Sequence, residues 1–303
     1  MTQQVKQSFY TTVEHPFSIE HCEAVSCNFC GAEAYTALGT ELDFEIRRCA
    51  ECRLVYISPQ PCAEEIPAFY DAMYLDDSPE EIAARGLGYT EQQLAWMLRR
   101  RKPDGGKLLD LGCGFGAVLA EMAQHSEWTL HGVEIGEKAV AHARARVPSA
   151  TIQEGTVDDV DFAPESFDCI LMITVLEHVK DPKAVLARVM GWLKPGGVLM
   201  VQTPYVEPFI RLKRFLPSLP IYFEAPRHLF DFSPRSLQLY MEQAGCRDTR
   251  VEIAVPYACG SRLGIALIWG VKLIGFALYR LSMRQYIWPY SGGLIAHGVK
   301  SND

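Results

Sequence analysis

Short apolar runs recur along the middle of the chain at 107–111, 129–134, 168–173 and 197–202, each of the length expected for a buried strand. Stretches with helical spacing fall between and after them, at 116–124, 136–146 and 182–193. Strand and helix therefore alternate, which predicts an α/β fold: a mostly parallel sheet with helices on both faces. A further helix is expected at 233–244, where Ser233 can cap the first turn, Pro234 occupies it and Gly245 ends it. A helix-like run from Thr90 to Lys102 precedes the alternation and stops at Pro103-Asp104-Gly105-Gly106, a breaker cluster that marks a boundary. Residues 1–20 show neither periodicity nor caps and read as an arm.

Composition adds limits rather than identity. With 303 residues, 49% of them hydrophobic, the chain can bury a large core with a small appendage. A formal net charge of -8 argues against holding RNA or DNA over a broad surface, because phosphate contacts are made by clustered Lys and Arg. The charge is uneven: residues 253–303 carry +4 and residues 1–252 carry -12. The start, MTQQVKQSFY, lacks an apolar signal core, and four of the ten cysteines fall in metal spacing, so a reducing cytoplasm is expected.

Those four are Cys27-x2-Cys30 and Cys49-x2-Cys52, separated by 18 residues. One such pair is common; two at this separation point to a four-thiolate zinc site, with Gly31 suited to the tight turn after the first pair. Four protein ligands leave no position for water, so the metal is expected to be structural and to stabilise a fragment too small for its own core. Cys22 and Cys62 are expected to lie outside the site, with Cys22 close enough in sequence to remain an alternative ligand.

The second chemical signal is Leu108-Leu109-Asp110-Leu111-Gly112-Cys113-Gly114-Phe115-Gly116, an apolar strand that ends in a glycine turn and opens a helix. Glycines let a backbone approach a ligand closely, and Glu134 ends the next strand 24 residues after Asp110, where a carboxylate can take both hydroxyls of a ribose. The set is completed by Glu154-Gly155-Thr156-Val157-Asp158-Asp159, Ser166-Phe167-Asp168-Cys169-Ile170 and Leu193-Lys194-Pro195-Gly196-Gly197. In order and spacing these motifs resemble the class I S-adenosylmethionine-dependent methyltransferases, whose fold is a Rossmann-like seven-stranded sheet.

The resemblance implies that Asp110 and the backbone of Gly112, Cys113, Gly114 and Gly116 hold the methionine end of the cofactor. Glu134, with Ile135 beside it, would hold the ribose, and Thr156 and Val157 would flank the adenine. Many members carry Asp where Thr156 stands, so Thr156 reads either as an adenine contact or as a loop residue. Thr174 and His178, in Ile173-Thr174-Val175-Leu176-Glu177-His178-Val179, follow the fourth core strand at its carboxyl end. His178 either faces the cleft or caps the next helix.

Cys49-x2-Cys52-Arg53-Leu54-Val55-Tyr56, Ser58-Pro59-Gln60-Pro61 and the Phe69-Tyr70 to Tyr74 segment extend the likeness. They resemble the zinc-ribbon methyltransferases of sugar, glycan and secondary-metabolite pathways, in which the aromatic segment packs over the cofactor. Tyr70 and Tyr74 read as cofactor contacts or as core. Glu224-Ala225-Pro226-Arg227-His228-Leu229-Phe230-Asp231-Phe232-Ser233 is similar to a stretch that lines the acceptor pocket in that group. Related sugar C-methyltransferases have a Glu directly before this His; here Arg227 stands there and Glu224 lies four residues earlier. His228 is either a base or acceptor contact, with His178 and Glu224 as companions, or a polar residue that caps the next helix.

Two stretches toward the end stay open. Residues 205–223 carry aromatic, basic and proline residues and read as a lid or a surface loop. Residues 262–284 form a basic amphipathic run, too interrupted to span a bilayer, that either lies on an anionic membrane surface or packs against the protein or a partner. The expected division is an arm at 1–20, a zinc ribbon at 21–66, a helical linker and cofactor lid at 67–103, a cofactor core at 104–204 and an acceptor-side region at 205–303. The expected activity is methyl transfer from S-adenosylmethionine to a small-molecule, sugar, glycan or lipid-linked acceptor, at oxygen. Sugar C-methylation and ribbon-assisted RNA methylation are the alternatives, with no nucleic-acid partner expected and monomer or dimer undecided.

Overall fold

The computed structural model describes residues 21–62, 64, 88–102, 104–207, 210–211, 215, 223–253 and 293–301. Tyr70, Tyr74 and the 262–284 run lie outside the described residues, as does most of 208–222. Among the described residues, no helix is long and apolar enough to cross a membrane.

The N-terminal part begins with β1 (Cys22–Glu23), β2 (Tyr35–Glu41), β3 (Phe44–Cys49), β4 (Val55–Ser58) and β5 (Gln60–Pro61). After helix α1 (Gly88–Arg101) come β6 (Gly106–Leu111), α2 (Ala117–Met122), β7 (Trp128–Glu134), α3 (Glu137–Arg146) and β8 (Thr151–Glu154). The chain continues through β9 (Phe167–Ile173), α4 (Pro182–Trp192), β10 (Leu193–Thr203), β11 (Phe230–Asp231), α5 (Pro234–Gln243), β12 (Cys246–Ile253) and β13 (Leu294–Lys300).

Seven strands form one sheet in the order β12-β13-β10-β9-β6-β7-β8. All run parallel except β13, which pairs antiparallel with both β10 and β12. This is the α/β architecture that the alternating pattern predicts. β10 begins earlier than its apolar run suggests, at Leu193, and resumes its register at Val198 after an irregularity across Lys194-Pro195-Gly196-Gly197. The edge strand β8, with one buried residue in four, has too little apolar content to read from sequence.

Alternation along the strands sends neighbouring residues to opposite faces. Leu108, Cys169, Leu171, Val198, Met200 and Ile295 join α1, α2 and α3 in one core. Leu109, Ile170, Met172, Leu199, Val201 and Leu294 join α4 and α5 in the other. The helix starts follow from local chemistry: Asp181 accepts from the amides of Lys183 and Ala184 at the head of α4, and Ser233 accepts from Ser236 N at the head of α5.

The second sheet, β11-β4-β3-β2, is built mostly from the N-terminal segment but takes its edge strand from Phe230–Asp231. Phe230 pairs with Tyr56 and Asp231 with Val55, antiparallel. Cys27, Phe44, Ile46, Tyr56 and Ile57 are buried in the same core as α4 and α5. Polar contacts seal the junction: Asn28 Nδ2 donates to Asp181 at 3.1 Å, Tyr240 OH donates to Asn28 at 2.9 Å, and Arg48 meets Glu207 at 3.0 Å. Glu41 accepts from the amides of Phe223 and Ala225, both at 2.8 Å. The N-terminal sheet thus lies against the 223–231 segment, not at the end of a free tether.

A consequence can be measured by limited proteolysis. Replacing the buried Cys49, which ends β3, loosens the sheet to which β11 is paired. In Cys49→Ser, trypsin is expected to cut after Arg227 several-fold faster than in the parent, and an unchanged rate would mean that the segment holds without the N-terminal sheet.

Candidate active site

The glycine turn after β6 has Gly112, Gly114 and Gly116 at φ 75°, 50° and 72°, in the left-handed region that glycine alone adopts without strain. Gly112 and Cys113 both donate to Val133 O, at 2.8 and 2.9 Å, which ties the turn to the end of β7. A Cβ on Gly112 would come within 2.4 Å of Val175 Cγ2, whereas one on Gly114 would meet nothing within 4 Å among the described residues. The turn is thus pressed against the β9 side at Gly112 and opens onto unfilled space at Gly114.

Two buried carboxylates flank that opening. Asp110, 2% exposed, is on β6 just before the turn, and Glu134, 4% exposed, ends β7. Glu134 accepts from Gly114 N at 2.8 Å through one oxygen and from Gly136 N at 3.0 Å through the other. A carboxylate has roughly four acceptor sites, so those bonds fix its orientation and leave capacity for two hydroxyls of a diol. Ile135 lies between the two anchored positions. Buried acid, open glycine backbone and anchored diol acceptor fit a nucleoside carrying a charged chain, which is the shape of S-adenosylmethionine.

On the same edge, Thr156 spends its side chain locally, its hydroxyl donating to Asp159 Oδ2 at 2.6 Å and its amide donating there at 2.8 Å. This shapes the loop beside the buried Val157. Thr174, at the end of β9, is a non-glycine residue at φ 53° with its amide bonded to Gln202 O at 2.9 Å. Strain of this kind at the carboxyl end of a central strand is tolerated where the surroundings over-determine it.

Beyond Thr174, His178 and His228 come together across fifty residues of sequence, their ring centroids 4.8 Å apart. Neither caps a helix, since Asp181 and Ser233 do that work. His178 Nδ1 is 2.9 Å from Arg227 O and His228 Nδ1 is 2.9 Å from Phe223 O. A carbonyl only accepts, so each Nδ1 carries the hydrogen and each Nε2 carries the lone pair. Burial keeps both rings neutral: it holds His178 well below the usual imidazole range and, with Arg227 adding repulsion, lowers His228 to about 3.

Glu177, which the motif reading passes over, joins them. Its side chain is fully buried, and burial pushes its carboxyl up to about 8. Glu177 Oε1 lies 3.7 Å from His178 Nε2, and Glu224 Oε2 lies 3.7 Å from His228 Nε2. Burial also raises Glu224, which pairs with Arg227 at 3.2 Å and is the more exposed of the two acids. The backbone explains the meeting: Glu177 O accepts from Leu229 N at 2.8 Å and Phe230 N at 3.3 Å, so the turn after β9 is bound to the strand entering β11. An acid next to a histidine just past a core strand is the signal that could have found Glu177.

The four cysteine sulfurs lie within 4.8 Å of one another, with Cys27 to Cys52 at 3.3 Å and Cys30 to Cys49 at 3.5 Å. Both C-x2-C segments fold alike. Cys27 N donates to Ala32 O at 3.1 Å and Cys49 N to Leu54 O at 2.9 Å, while Gly31 and Arg53 take φ 73° and 70° at equivalent positions. Two matching turns that converge four sulfurs suit a tetrahedral ion of the zinc type. Cys22 and Cys62 are not in the cluster.

Residues 88–251 match a family model described as a methyltransferase domain, which spans more than half the chain. The chain belongs to this methyltransferase family. With the sheet described above, it is a class I S-adenosylmethionine-dependent enzyme. It is 31% identical over 159 residues to a ubiquinone biosynthesis O-methyltransferase of Pseudomonas fluorescens, covering 50% of this chain and 68% of that one. A second relative of the same description from Thiobacillus denitrificans is 34% identical over 116 residues, 37% of this chain and 50% of that one. Among solved structures, Haemonchus contortus phosphoethanolamine N-methyltransferase 2 with S-adenosylmethionine superposes with a TM-score of 0.53 at 19% identity, covering 82% of this chain and 63% of that one. At that identity the likeness is one of fold.

The glycine geometry separates two neighbouring substitutions. Gly112→Ala, strained in φ and driven into Val175, is expected to cost about 1–3 kcal/mol in thermal unfolding. Gly114→Ala, equally at positive φ but meeting no atom of the described residues within 4 Å, should cost clearly less; equal losses would show that the Val175 contact does not fix the turn.

Proposed function

We propose that this methyltransferase transfers the methyl group of S-adenosylmethionine to a hydroxyl oxygen of a small acceptor, sugar, glycan or lipid-linked, that enters beside His178 and His228. The observation that carries the reading is the convergence of these two neutral imidazoles with Glu177 and Glu224 just beyond the carboxyl end of β9. Open α/β sheets receive ligands at that end. The likeness to ubiquinone biosynthesis O-methyltransferases supports oxygen as the acceptor atom.

In this reading Asp110 and the backbone of Gly112, Cys113, Gly114 and Gly116 take the methionine end of the cofactor. Glu134, with Ile135, takes the ribose, and Val157 borders the adenine, with Thr156 setting the loop and Thr174 the floor at the end of β9. Bound S-adenosylmethionine supplies an electrophilic methyl on a positively charged sulfur. The chain's own residues align a hydroxyl with that methyl, exclude water and remove the hydroxyl's proton. His178, His228 and Glu224 are the activating residues, with Glu224 on the more open side where a proton can leave to solvent. Cys27, Cys30, Cys49 and Cys52 hold a structural zinc with no open position. A reducing cytoplasm suits that thiolate site. Its partners are the small acceptor and no nucleic acid.

Sugar C-methylation has one observation in its favour. Arg227 stands where related C-methyltransferases have Glu, yet Glu224 reaches back to within 3.7 Å of His228 Nε2 and so restores a Glu–His pair in space.

Calorimetric titration with S-adenosylhomocysteine tests the cofactor half. Glu134→Ala should abolish measurable binding, and intact affinity in that variant rejects the assignment. Turnover on a panel of phenolic, sugar and lipid-linked hydroxyl acceptors tests the other half. Methyl groups should appear on oxygen by product NMR, and His228→Ala should lower kcat about 100-fold or more while S-adenosylhomocysteine affinity stays unchanged. Methyl groups on carbon would favour the second reading, and undiminished kcat in His228→Ala would remove the histidine from the reaction.

A further inference from the structure

We propose that Glu177, His178 and His228 form a binding site for one divalent transition-metal cation, separate from the four-cysteine cluster and placed to activate the acceptor. Three observations carry it. The carboxylate of Glu177 is 0% exposed, and neither of its oxygens has a hydrogen-bond partner among the described residues. A buried polar group left unpaired carries its full desolvation cost, larger when it is charged, so a group kept in this state is one that another ligand completes. A hydrogen bond from Glu177 to His178 does not fill the need, because 3.7 Å is too long.

The two imidazoles are prepared as ligands. Metal-bound histidines commonly donate their second ring nitrogen to a carbonyl or carboxylate, which fixes the tautomer and aims the other nitrogen. That is the arrangement of His178 with Arg227 O and of His228 with Phe223 O, each at 2.9 Å. The ligand-capable atoms of Glu177, His178 and His228 all lie within 4.8 Å of one another. A cation about 2.1 Å from each donor needs separations of about 3–3.5 Å, so small side-chain rotations close the site. The neutral state of both rings also suits ligation, since only the neutral imidazole binds a metal.

The donor set selects the ion. Two imidazoles and one carboxylate favour Mn²⁺, Fe²⁺, Co²⁺ or Zn²⁺ over Mg²⁺ and Ca²⁺, which take oxygen ligands. Three protein ligands also leave positions open, unlike the four thiolates of the ribbon. The cation's binding is independent of what is methylated; its role in transfer rests on the hydroxyl reading above. There the acceptor oxygen binds the cation, which makes its O–H more acidic, and the proton passes to Glu224 and then to solvent. The oxygen's electron pair forms the new bond to the methyl carbon as the carbon–sulfur bond breaks toward sulfur. The products are a methyl ether and S-adenosylhomocysteine, and the cation keeps its oxidation state.

The test uses the full chain with its ribbon metal in place, titrated with Mn²⁺ alone and followed by the paramagnetic resonance of free Mn²⁺. One Mn²⁺ per chain is expected beyond the ribbon metal, weakened at least about tenfold in Glu177→Gln and in His228→Ala. Glu252→Gln, a surface acid paired with His297, should leave it unchanged. Unchanged S-adenosylhomocysteine affinity and far-ultraviolet dichroism establish that each variant is folded. If His228→Ala misfolds, Glu177→Gln and the Co²⁺ ligand-field spectrum of the parent decide the matter, visible ligand-field absorption without sulfur-to-metal charge transfer that is lost in Glu177→Gln supporting the site. Absence of a bound Mn²⁺ or Co²⁺ in the folded parent overturns the proposal, as does equal binding in Glu177→Gln. A bound cation in an enzyme that methylates no hydroxyl acceptor upholds the site and rejects the oxygen reading. Full hydroxyl methylation by protein shown to contain no such cation rejects its role in transfer and upholds that reading.

Discussion

The meeting of His178 and His228, where the proposed acceptor enters, depends on one backbone junction. Leu229 and Phe230 donate their amides to the carbonyl of Glu177, while Phe230 and Asp231 pair with β4 of the N-terminal sheet. A single short segment is thereby held from both sides, by the turn after a core strand and by the cysteine-bearing sheet. His228 precedes that segment by one residue, so the same bonds that make β11 a strand carry His228 to His178. Asp231 strengthens the arrangement from beyond, accepting from the amides of Val206 and Glu207 at 2.8 Å each although burial pushes its carboxyl up to about 7. Two donated amides are what make that buried acid tolerable.

The N-terminal sheet therefore bears on the histidine cluster, which is the acceptor side in the proposed reading. Its core is continuous with that of α4 and α5. The glycine turn, Asp110 and Glu134 lie at the ends of β6 and β7, with Gly112 packed against Val175 just after β9. The glycine turn and its two acids thus belong to the parallel strands, whereas the histidine cluster is assembled from separate parts of the chain. This division explains how one cofactor frame can serve different acceptors: the parts that change are those outside the parallel strands.

Legibility in the sequence follows the same line. The strand–turn–helix of Asp110 to Gly116 can be read because its meaning lies in contiguous residues: apolar alternation, glycines where φ is positive, and an acid at a fixed distance downstream. Leu193 to Gly197 was harder, since the strand starts before its apolar run and passes through Pro195 and two glycines. The two-residue strand β11 has no periodicity to detect; its existence depends on β4, more than 170 residues earlier. Glu177 was missed for a related reason. In sequence it is an acid in an apolar turn, and only the arrival of His228 and the burial of its carboxylate give it a chemical character.

Thr156 and Arg227 show how departures from a family pattern resolve physically. The hydroxyl of Thr156 donates to Asp159, so the loop is held by an internal bond. Arg227 takes the position of an acid but turns its guanidinium toward Glu224, 3.2 Å away, and offers its carbonyl to His178. One residue thus neutralises the acid that lies beside one histidine and fixes the tautomer of the other. Replacing Arg227 by Lys would keep the carbonyl and the charge but lose the planar fork, so the two functions of this position are separable in principle by backbone and side chain. The backbone function needs no particular side chain, so the orientation of His178 is set by the Arg227 carbonyl and that of His228 by the Phe223 carbonyl, whatever side chain stands at 227.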